Sequence, residues 1–350
     1  VVSDLFMERV EKNLEWTLLD PYEIRMKYGI ELCELYGEEF EKKYLEIEKA
    51  RDITLKKVVK ARELFKEIMK TQIETGMPYI FFKDRANLMN HNNHVGMIGN
   101  GNLCMESFSN FSPSRDFKED IDENSGVRKV NLGEVHTCNL VSLNLAEIER
   151  EELEKNVSIA VRILDNTIDL TKTPIKESDK HNKNYRAIGV GTMGLADYLA
   201  REYMIYEDSI LEIDELFEEI ALYSLKSSAL LAKERGSYPM FKSSQWDRGV
   251  FFQKDEKWYL ENSKFSQKWK EVFELVKEYG IRNGELTAVA PNTSTSLLMG
   301  STASVNPTFS RFYIEKNQKG AVPRVVKYLK DRAWFYPEFK NVDPQTYVKI

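Results

Sequence analysis

Short apolar segments alternate with long amphipathic stretches along this chain, and that alternation constrains its fold more than any other feature. Apolar runs predict strands at 78–82, 138–145 and 286–290. Apolar residues at helical spacing predict helices at 3–17, 38–75 with a break near Asp52, 150–171, 190–203, 208–235 and 266–279. Strands separated by helices of this length indicate an α/β fold with a largely parallel sheet or barrel.

Local signals mark the ends of several helices and the loops between them. Ser3 or Asp4 is predicted to cap the first helix. Three helices are predicted to end at a glycine, the residue that most easily adopts the left-handed conformation: Gly76, Gly236 and Gly280. Turn-forming residues predict a loop at 87–101, and the polar segment 114–128 is predicted to be an exposed excursion.

Composition bounds the class of protein. With 350 residues, 42% of them apolar and 30% charged, the chain suffices for one large globular domain or two ordinary ones. No apolar run approaches the roughly 18–20 residues of a membrane span, so no membrane association is expected. The net charge of −6 argues against a nucleic-acid polymer as partner. The first residue is Val1, with neither a signal peptide nor an initiator Met, so the sequence is expected to begin inside a longer chain.

The cysteine count indicates the redox environment. Three cysteines, an odd number, do not make a secreted disulfide framework, so a reducing cytoplasm is the expected location. Cys33 has apolar neighbours and no acid–base company, and it is predicted to pack in the interior. Cys104 and Cys138 lie in segments with a stronger functional signal.

The segment Gly101–Ser107 carries an amide, a thiol and a carboxylate at alternate positions, in Asn102, Cys104 and Glu106. In an extended segment these three side chains would point to one face and converge on a small volume. An amide can hold a hydroxyl group, a carboxylate can take its proton, and a thiol can exchange an electron or a hydrogen atom. The pattern indicates redox chemistry on an alcohol-bearing substrate. The alternative is a strand with a buried cysteine flanked by two polar residues.

A second candidate site follows the predicted strand 286–290. The loop Pro291–Ser296 is rich in hydroxyl groups, which together with backbone N–H groups can hold a phosphate between a strand end and a helix start. Sites in parallel α/β folds are expected at such strand ends. The alternative is a helix N-terminus rich in Ser and Thr.

Three other features are interpreted as structural. The histidines His91, His94 and His136 lack carboxylate or cysteine neighbours at ligand spacing, so no metal site is predicted. The pattern Gly189-x-Gly-x-x-Gly194 resembles a dinucleotide fingerprint, but it follows a polar stretch and lacks the later acidic residue, so it is assigned to helix–sheet packing. The aromatic residues at 334–339 are assigned to a core or an interface rather than to a radical relay.

Together these segments resemble the large, catalytic subunit of ribonucleotide reductase, in the aerobic class I that draws its radical from a partner subunit. The resemblance covers nearly the whole chain, with order and spacing preserved. Its strongest motifs are Asn102-Leu-Cys-Met-Glu106, Thr137-Cys-Asn-Leu-Val-Ser-Leu-Asn-Leu145, Tyr185-Arg-Ala-Ile-Gly-Val-Gly-Thr-Met-Gly-Leu-Ala196 and Ala290-Pro-Asn-Thr-Ser-Thr-Ser296. Val2–Val10 and Pro78–Asp84 also fit. The resemblance implies that residues 1–350 form part of a ten-stranded α/β barrel domain with a central finger loop.

The resemblance also implies a role for each candidate residue. Cys104 would carry the thiyl radical, Glu106 would deprotonate the substrate 3′-OH, and Asn102 would bind substrate hydroxyl groups. Cys138 would be one of two reducing cysteines, and its partner in the family lies on an earlier strand that is absent here. The phosphate-binding residues, which would hold the diphosphate of a ribonucleotide, are Thr293, Ser294 and Thr295, with Asn292 and Ser296 in the same loop.

Several partners follow from the same resemblance. The substrate would be a ribonucleoside diphosphate, and the radical would come from a small subunit with a dimetal centre, so that no cofactor or metal is bound in this chain. An external dithiol of the thioredoxin or glutaredoxin type would re-reduce the site. The remaining part of the large subunit would complete the barrel, and the complete subunit would form a homodimer.

The chain also departs from the family pattern. It lacks the regulatory domain, the first barrel strands and the first reducing cysteine, as well as the tyrosine pair and the cysteine-bearing tail. Ser107 stands where the family usually has an aliphatic residue. A natural split product or a truncated subunit would explain these absences, and the chain alone is expected to be inactive. The alternatives are the adenosylcobalamin-dependent class, which shares the finger-loop motif, and a non-catalytic fragment that binds a reductase and modulates it.

Overall fold

The computed structural model describes residues 1–121, 128–317 and 320–349, with 116–121, 128–130 and 317 described by their backbone alone. Its contacts divide the chain into an amino-terminal unit, Val1–His136, and a carboxyl-terminal unit, Thr137–Ile350. Each unit has its own buried apolar cluster, centred on Ile24, Ile47 and Ile53 in the first and on the helices and parallel strands in the second.

The amino-terminal unit combines five helices with two antiparallel strand pairs, β1–β2 and β3–β4, among its described residues. The elements in chain order are α1 Asp4–Glu11, β1 Glu15–Leu19, α2 Pro21–Tyr28, α3 Gly37–Glu48, β2 Lys56–Lys60, α4 Ala61–Thr75, α5 Lys83–Leu88, β3 Arg115–Ile121 and β4 Arg128–Asn131. A short 3-10 turn at Leu32–Glu34 separates α2 from α3.

The first predicted helix is shorter than 3–17. The Ser3 hydroxyl accepts a hydrogen bond from the Phe6 N–H, which confirms the predicted cap, but the helix ends at Glu11. Residues 15–19 form strand β1 instead, in which Trp16 pairs with Val59 and stacks on the Tyr44 ring at 4.2 Å. A long-range strand partner and an aromatic stack therefore override the helical spacing.

The predicted helical region 38–75 does break near Asp52, and Gly76 ends it in the left-handed conformation at φ 75°. The break contains strand β2, which the prediction missed. The strand predicted at 78–82 is wrong, because Phe82 makes a single isolated bridge to Val2 and the residues just before it have no strand structure.

Two further predictions concern the surface of this unit. Cys33 lies exposed in the 3-10 turn, so its predicted interior packing is wrong. Its neighbour Leu32 packs against the apolar cluster of this unit, while Cys33 itself is exposed. The segment predicted as an exposed excursion, 114–128, has the backbone of the β3–β4 pair at Arg115–Ile121 and Arg128–Asn131. Ser114 and Arg115 are exposed, as predicted, and the exposure of the other residues lies outside the described side chains.

The carboxyl-terminal unit is built from helices around a small parallel sheet. Its elements in chain order are β5 Leu140–Asn144, α6 Leu153–Leu170, α7 Lys176–Tyr185, β6 Gly189–Met193, α8 Leu195–Arg201, α9 Ile210–Arg235, β7 Val250–Phe251, β8 Lys254–Asp255, α10 Glu256–Asn262, α11 Ser266–Tyr279, α12 Thr293–Met299, β9 Phe312–Asn317, β10 Gly320–Val325, α13 Leu329–Arg332 and α14 Pro344–Lys349. Single 3-10 turns lie at Arg150–Glu152, Tyr206–Asp208, Ala333–Phe335 and Phe339–Asn341.

The parallel sheet forms the centre of this unit. Strands β5 and β6 pair in parallel, with Leu140 opposite Gly189. The predicted strand 286–290 continues the sheet only as a bridge between Thr287 and Val190, but it runs parallel to β6 and exchanges backbone hydrogen bonds with it. The parallel α/β prediction is confirmed for these segments. The other described pairs, β7–β8 and β9–β10, are antiparallel, and the described strands do not close into a barrel.

Glycines allow the close approach of these segments. A Cβ atom on Gly191 would lie 2.1 Å from the Ala288 carbonyl oxygen, and one on Gly189 would lie 2.5 Å from the Leu140 side chain. The spacing Gly189-x-Gly-x-x-Gly194 thus serves packing, as predicted, although the neighbours of these two glycines are strand residues rather than a helix.

Most of the predicted helices of this unit are confirmed. Helices α6, α9 and α11 agree with the predictions at 150–171, 208–235 and 266–279, and the latter two end at Gly236 and Gly280. The helix predicted at 190–203 is wrong in its first half, because Gly189–Met193 is a fully buried strand. The polar helix α7 was not predicted. Each helix in the described ranges is too short or too polar to serve as a transmembrane segment.

Helix α6 carries a buried carboxylate that joins several elements. Asp165 has no solvent exposure, and its Oδ1 accepts a hydrogen bond of 2.8 Å from Arg186 Nε. Its other contacts come from Arg235, Arg282 and Asn283. A buried carboxylate surrounded by donors from three other segments fixes how α6, α9 and the chain near β6 pack.

Candidate active site

The motif with Asn102, Cys104 and Glu106 forms a tight turn in the amino-terminal unit rather than an extended segment. An antiparallel bridge between Gly101 and Phe108 closes the turn, and Met105 has a left-handed φ of 61°. The Asn102 N–H donates to the Ser107 carbonyl at 3.2 Å. The predicted alternation of side chains on one extended face is therefore wrong, although the three side chains still belong to one compact turn.

The Asn102 side chain explains why the segment turns. Its Oδ1 accepts hydrogen bonds from the N–H groups of Glu106 at 2.9 Å and Ser107 at 3.0 Å. Asparagine commonly competes with strand pairing through such local bonds. Oδ1 of Asn102 already accepts two hydrogen bonds from the backbone, so the side chain would bind another molecule by donating a hydrogen bond from Nδ2.

Cys104 and Glu106 occupy different parts of this turn. Leu103 and Cys104 lie at its exposed tip, with Leu103 83% exposed. Glu106 lies toward its base, and its Oε2 atom is buried and has no hydrogen-bond partner among the described residues. A buried carboxylate oxygen without a donor is costly, and it is the kind of atom that a bound hydroxyl group would satisfy.

The base of the turn is fixed by two contacts that the sequence did not reveal. The Phe108 ring stacks on the Phe81 ring at 5.6 Å. Ser107 is buried, and its Oγ lies 2.6 Å from His136 Nε2. Burial lowers the pKa of His136 to about 4, so its ring is neutral at physiological pH. The three histidines lie in turns or loops.

No group of three or more His, Cys, Asp or Glu side chains in the described part of the chain is arranged to hold a metal ion.

Cys138 lies in the carboxyl-terminal unit, just before strand β5, and is exposed. Its two neighbours are held by helix α7: the Thr137 hydroxyl donates to Asn182 Oδ1 at 2.9 Å, and Asn139 Nδ2 donates to the same atom at 3.2 Å. The residues on either side of the thiol are therefore anchored to one helix, and this fixes the position of Cys138 at the start of the strand.

The predicted phosphate loop is anchored to the same sheet through Asn292. This residue adopts a left-handed φ of 54° before helix α12, and its Oδ1 accepts a hydrogen bond of 3.0 Å from the Ser142 hydroxyl on β5. Its Nδ2 donates to the carbonyl groups of Thr192 and Ala290. Asn292 therefore has a structural task, which the sequence analysis did not separate from ligand binding.

The loop at Asn292 is tied to the strand that begins two residues after Cys138. Ser142 on β5 donates its hydroxyl hydrogen bond to Asn292 Oδ1, so the loop and this strand are fixed to each other.

The hydroxyl groups of the loop divide into two sets. Thr293, Ser294 and Thr295 are exposed in the first turn of α12, and the helix has no side-chain cap. Ser296 is buried, and its hydroxyl donates to the Thr293 carbonyl at 3.3 Å. The first three residues are therefore the ones that can meet an anion, while Ser296 stabilises the turn beneath them.

A buried network behind α12 was missed by the sequence analysis. Asp197 has no solvent exposure, and its Oδ1 accepts a hydrogen bond of 2.7 Å from the Tyr336 hydroxyl. Its Oδ2 accepts from the Thr302 N–H at 2.6 Å. Tyr336 is fully buried and Phe335 packs against the same apolar cluster, which confirms the predicted core role for these two, while Trp334 is 84% exposed. The network holds the chain that follows α12.

Comparison with known proteins identifies the family. The family model described as "Ribonucleotide reductase, barrel domain" matches residues 1–343. A protein of Synechocystis named ribonucleoside-diphosphate reductase subunit alpha is 47% identical over 100% of this chain and 43% of its own length. A protein of the same name from Helicobacter pylori is 36% identical over 99% of this chain and 49% of its own length.

A third protein of that name, from Treponema pallidum, is 36% identical over 94% of this chain and 39% of its own length. The chain thus spans less than half the length of these relatives. One family model matches residues 1–343, and this range includes the turn at Asn102, the strand after Cys138 and the loop at Asn292. This chain belongs to the ribonucleotide reductase barrel-domain family.

Proposed function

We propose that this chain is the catalytic-centre part of a class I large subunit that reduces ribonucleoside diphosphates by a thiyl-radical mechanism, within a ten-stranded barrel completed by the remaining part of the subunit. The observation that carries the proposal is the turn at Asn102. It presents the Cys104 thiol at an exposed tip and keeps a Glu106 oxygen buried without a donor among the described residues.

Cys104 would begin and end the reaction. As a thiyl radical its sulfur takes the hydrogen atom from C3′ of the ribose, which regenerates the thiol and leaves a carbon radical. The S–H and ribose C–H bonds are similar in strength, so the transfer is reversible and Cys104 can return the hydrogen atom at the end. An exposed position at the tip of a turn suits a group that must reach a substrate atom.

Glu106 and Asn102 would act on the ribose hydroxyl groups. Glu106 would take the 3′-OH proton as general base, and a positioned base contributes on the order of 10²–10⁴-fold to the rate. The buried Oε2 gains a hydrogen-bond partner when the substrate hydroxyl arrives. Asn102 would orient the sugar through Nδ2, since its Oδ1 is already occupied by two backbone N–H groups.

Cys138 would supply half of the reducing equivalents. The ribose 2′-OH leaves as water, and the substrate radical receives a hydrogen at C2′ while two thiols become a disulfide, which accounts for two electrons and two protons. The second thiol would come from the remaining part of the large subunit. An external dithiol of the thioredoxin or glutaredoxin type would then reduce the disulfide. All three cysteines of the chain carry thiols here, in keeping with a reducing cytoplasm.

The diphosphate would bind at the start of helix α12. Exposed hydroxyl groups of Thr293, Ser294 and Thr295 and the first N–H groups of the helix can satisfy phosphate oxygens without a cationic side chain. The bond between Ser142 and Asn292 ties this loop to the strand that begins after Cys138. The ribose would thus lie toward the thiol and the phosphates toward the helix.

Other chains complete the proposed enzyme. A small subunit with a dimetal centre would supply the radical, and the complete large subunit would form a homodimer. The test is a reduction assay with this chain, the remaining part of the large subunit, the small subunit and a dithiol. Formation of deoxyribonucleoside diphosphate in the complete mixture, and not when this chain is omitted, is expected. Activity that requires adenosylcobalamin instead of the small subunit would contradict class I, and activity without this chain would contradict a catalytic role.

The variant Glu106→Gln tests the general base. It keeps the size of the side chain and the backbone bonds to Asn102, but it removes the proton acceptor. We expect kcat to fall roughly 10²-fold or more while the Kd for the nucleoside diphosphate changes less than about threefold. Steady-state turnover and equilibrium binding measure the two quantities. Near-normal turnover of Glu106→Gln would remove Glu106 from the base role.

A further inference from the structure

We propose that Ser107 and His136 are positioning residues that hold the Cys104 turn in its reactive orientation. The inference rests on the proposed function and adds to it two residues that do not touch the reacting atoms. Its starting point is the hydrogen bond of 2.6 Å between Ser107 Oγ and His136 Nε2, which joins the last residue of the turn to a residue 29 positions later in the chain.

The turn itself is a closed unit whose orientation is decided at its base. The Asn102 side chain and the bond from the Asn102 N–H to the Ser107 carbonyl tie its two ends together. The tip residues Leu103 and Cys104 are exposed. A rotation of the base would therefore move Cys104 as a rigid extension, and small displacements at Ser107 become larger ones at the sulfur atom.

Ser107 is well suited to prevent such a rotation. Its side chain is buried, so its hydroxyl cannot exchange its partner for water, and it directly follows Glu106 in the chain. The Ser107 N–H also donates to Asn102 Oδ1 at 3.0 Å. One residue therefore binds the turn through its backbone and anchors it through its side chain. An aliphatic residue at this position would pack, but it could not fix the direction of the turn through a hydrogen bond.

His136 supplies a stable partner for this bond. It is half-buried, and burial of its ring lowers its pKa to about 4, so the bond does not depend on a proton gained near neutral pH. It stands two residues before Cys138 in the sequence.

The test uses the holoenzyme formed by this chain, the remaining part of the large subunit and the small subunit. Two readouts are measured: turnover, and the hydrogen isotope effect on turnover of a ribonucleoside diphosphate labelled at C3′, which reports hydrogen abstraction by Cys104. We expect Ser107→Ala to lower kcat roughly 10- to 100-fold and to raise the C3′ isotope effect, because hydrogen abstraction becomes more rate-limiting, with KM changed less than about twofold. Ser107→Thr retains the hydroxyl and is expected to restore most of the activity.

A second pair of variants tests the partner. His136→Gln can place an amide nitrogen near the position of Nε2 and should retain more activity than His136→Leu. Because both residues act through one bond, Ser107→Ala combined with His136→Leu is expected to lose no more than the worse single variant. Additive losses, or equal losses for Ser107→Ala and Ser107→Thr that follow a loss of thermal stability, would overturn the positioning role in favour of packing.

Failure of this inference differs from failure of the proposed function. If Cys104→Ser leaves turnover of the holoenzyme unchanged, the thiyl-radical proposal fails. If Cys104→Ser abolishes turnover and Ser107→Ala turns over at the unsubstituted rate, the proposed function stands and the positioning role of Ser107 and His136 is wrong.

Discussion

Cys104→Ser is expected to abolish deoxyribonucleotide formation, with a loss of turnover greater than roughly 10³-fold. The hydroxyl O–H bond is much stronger than the thiol S–H bond, so serine cannot be oxidised to a radical that exchanges hydrogen with ribose. The substitution is nearly isosteric and lies at the exposed tip of the turn, so the bonds from Asn102 that shape the turn are preserved. Turnover in the reconstituted enzyme and equilibrium binding of the nucleoside diphosphate measure the effect, and binding is expected to be unchanged.

The matched control is Cys33→Ser, which changes the same atom at another exposed cysteine of the amino-terminal unit. It is expected to retain full turnover, because Cys33 lies in the 3-10 turn at Leu32–Glu34 and has no place in the proposed chemistry. Equal losses in both variants would mean that the assay reports general thiol damage. Substantial turnover of Cys104→Ser alone would contradict the radical role.

Asp165→Ala is expected to destabilise the protein by about 3–5 kcal/mol, because it leaves buried guanidinium groups without their carboxylate. The Asp165 side chain has no exposure, and that of its partner Arg186 is 7% exposed. The substitution also removes an acceptor from Arg235, which reaches Asp165 from helix α9 at 3.0 Å. The shift in the midpoint of urea unfolding, measured on the complete large subunit, gives the change in free energy of unfolding.

Asp169→Ala is the control for this measurement. Asp169 lies one helical turn later on α6 and binds the same Arg186 at 2.8 Å, but its side chain is 52% exposed. Water can replace the lost carboxylate there, so a cost within about 1 kcal/mol is expected. Similar costs for the two variants would show that burial does not set the strength of these pairs, and would contradict the structural role assigned to Asp165.

Local signals predicted those parts of the fold that depend on short-range interactions. Helices α9 and α11 follow from periodic apolar residues that end at Gly236 and Gly280, and both features can be found within one window of sequence. All five residues of the strand Gly189–Met193 are buried, so its sequence lacks the alternation of apolar and polar residues that identifies a strand. The segment was therefore predicted to be the start of a helix. Strand β1 depends on β2, about forty residues away, and no local pattern announces such a pairing.

The candidate site shows the same division. The identity of Asn102, Cys104 and Glu106 was clear from the sequence, but their arrangement was not. The turn depends on the particular pair of bonds that Asn102 Oδ1 accepts and on a left-handed Met105, an uncommon conformation for that residue type. The bond between Ser142 and Asn292 joins residues 150 positions apart, so only the folded chain reveals that the loop at 291–296 and the strand after Cys138 are fixed to each other.

The contact at Gly191 has a consequence for the history of this domain. A side chain of any size would place a carbon atom 2.1 Å from the Ala288 carbonyl oxygen, and the obstacle is backbone, which cannot shrink by substitution. Position 191 therefore cannot accept another residue as long as β6 and the segment that leads to the loop at Asn292 remain in register. Descendants of this chain could change substrate or lose activity altogether and still be confined to glycine there.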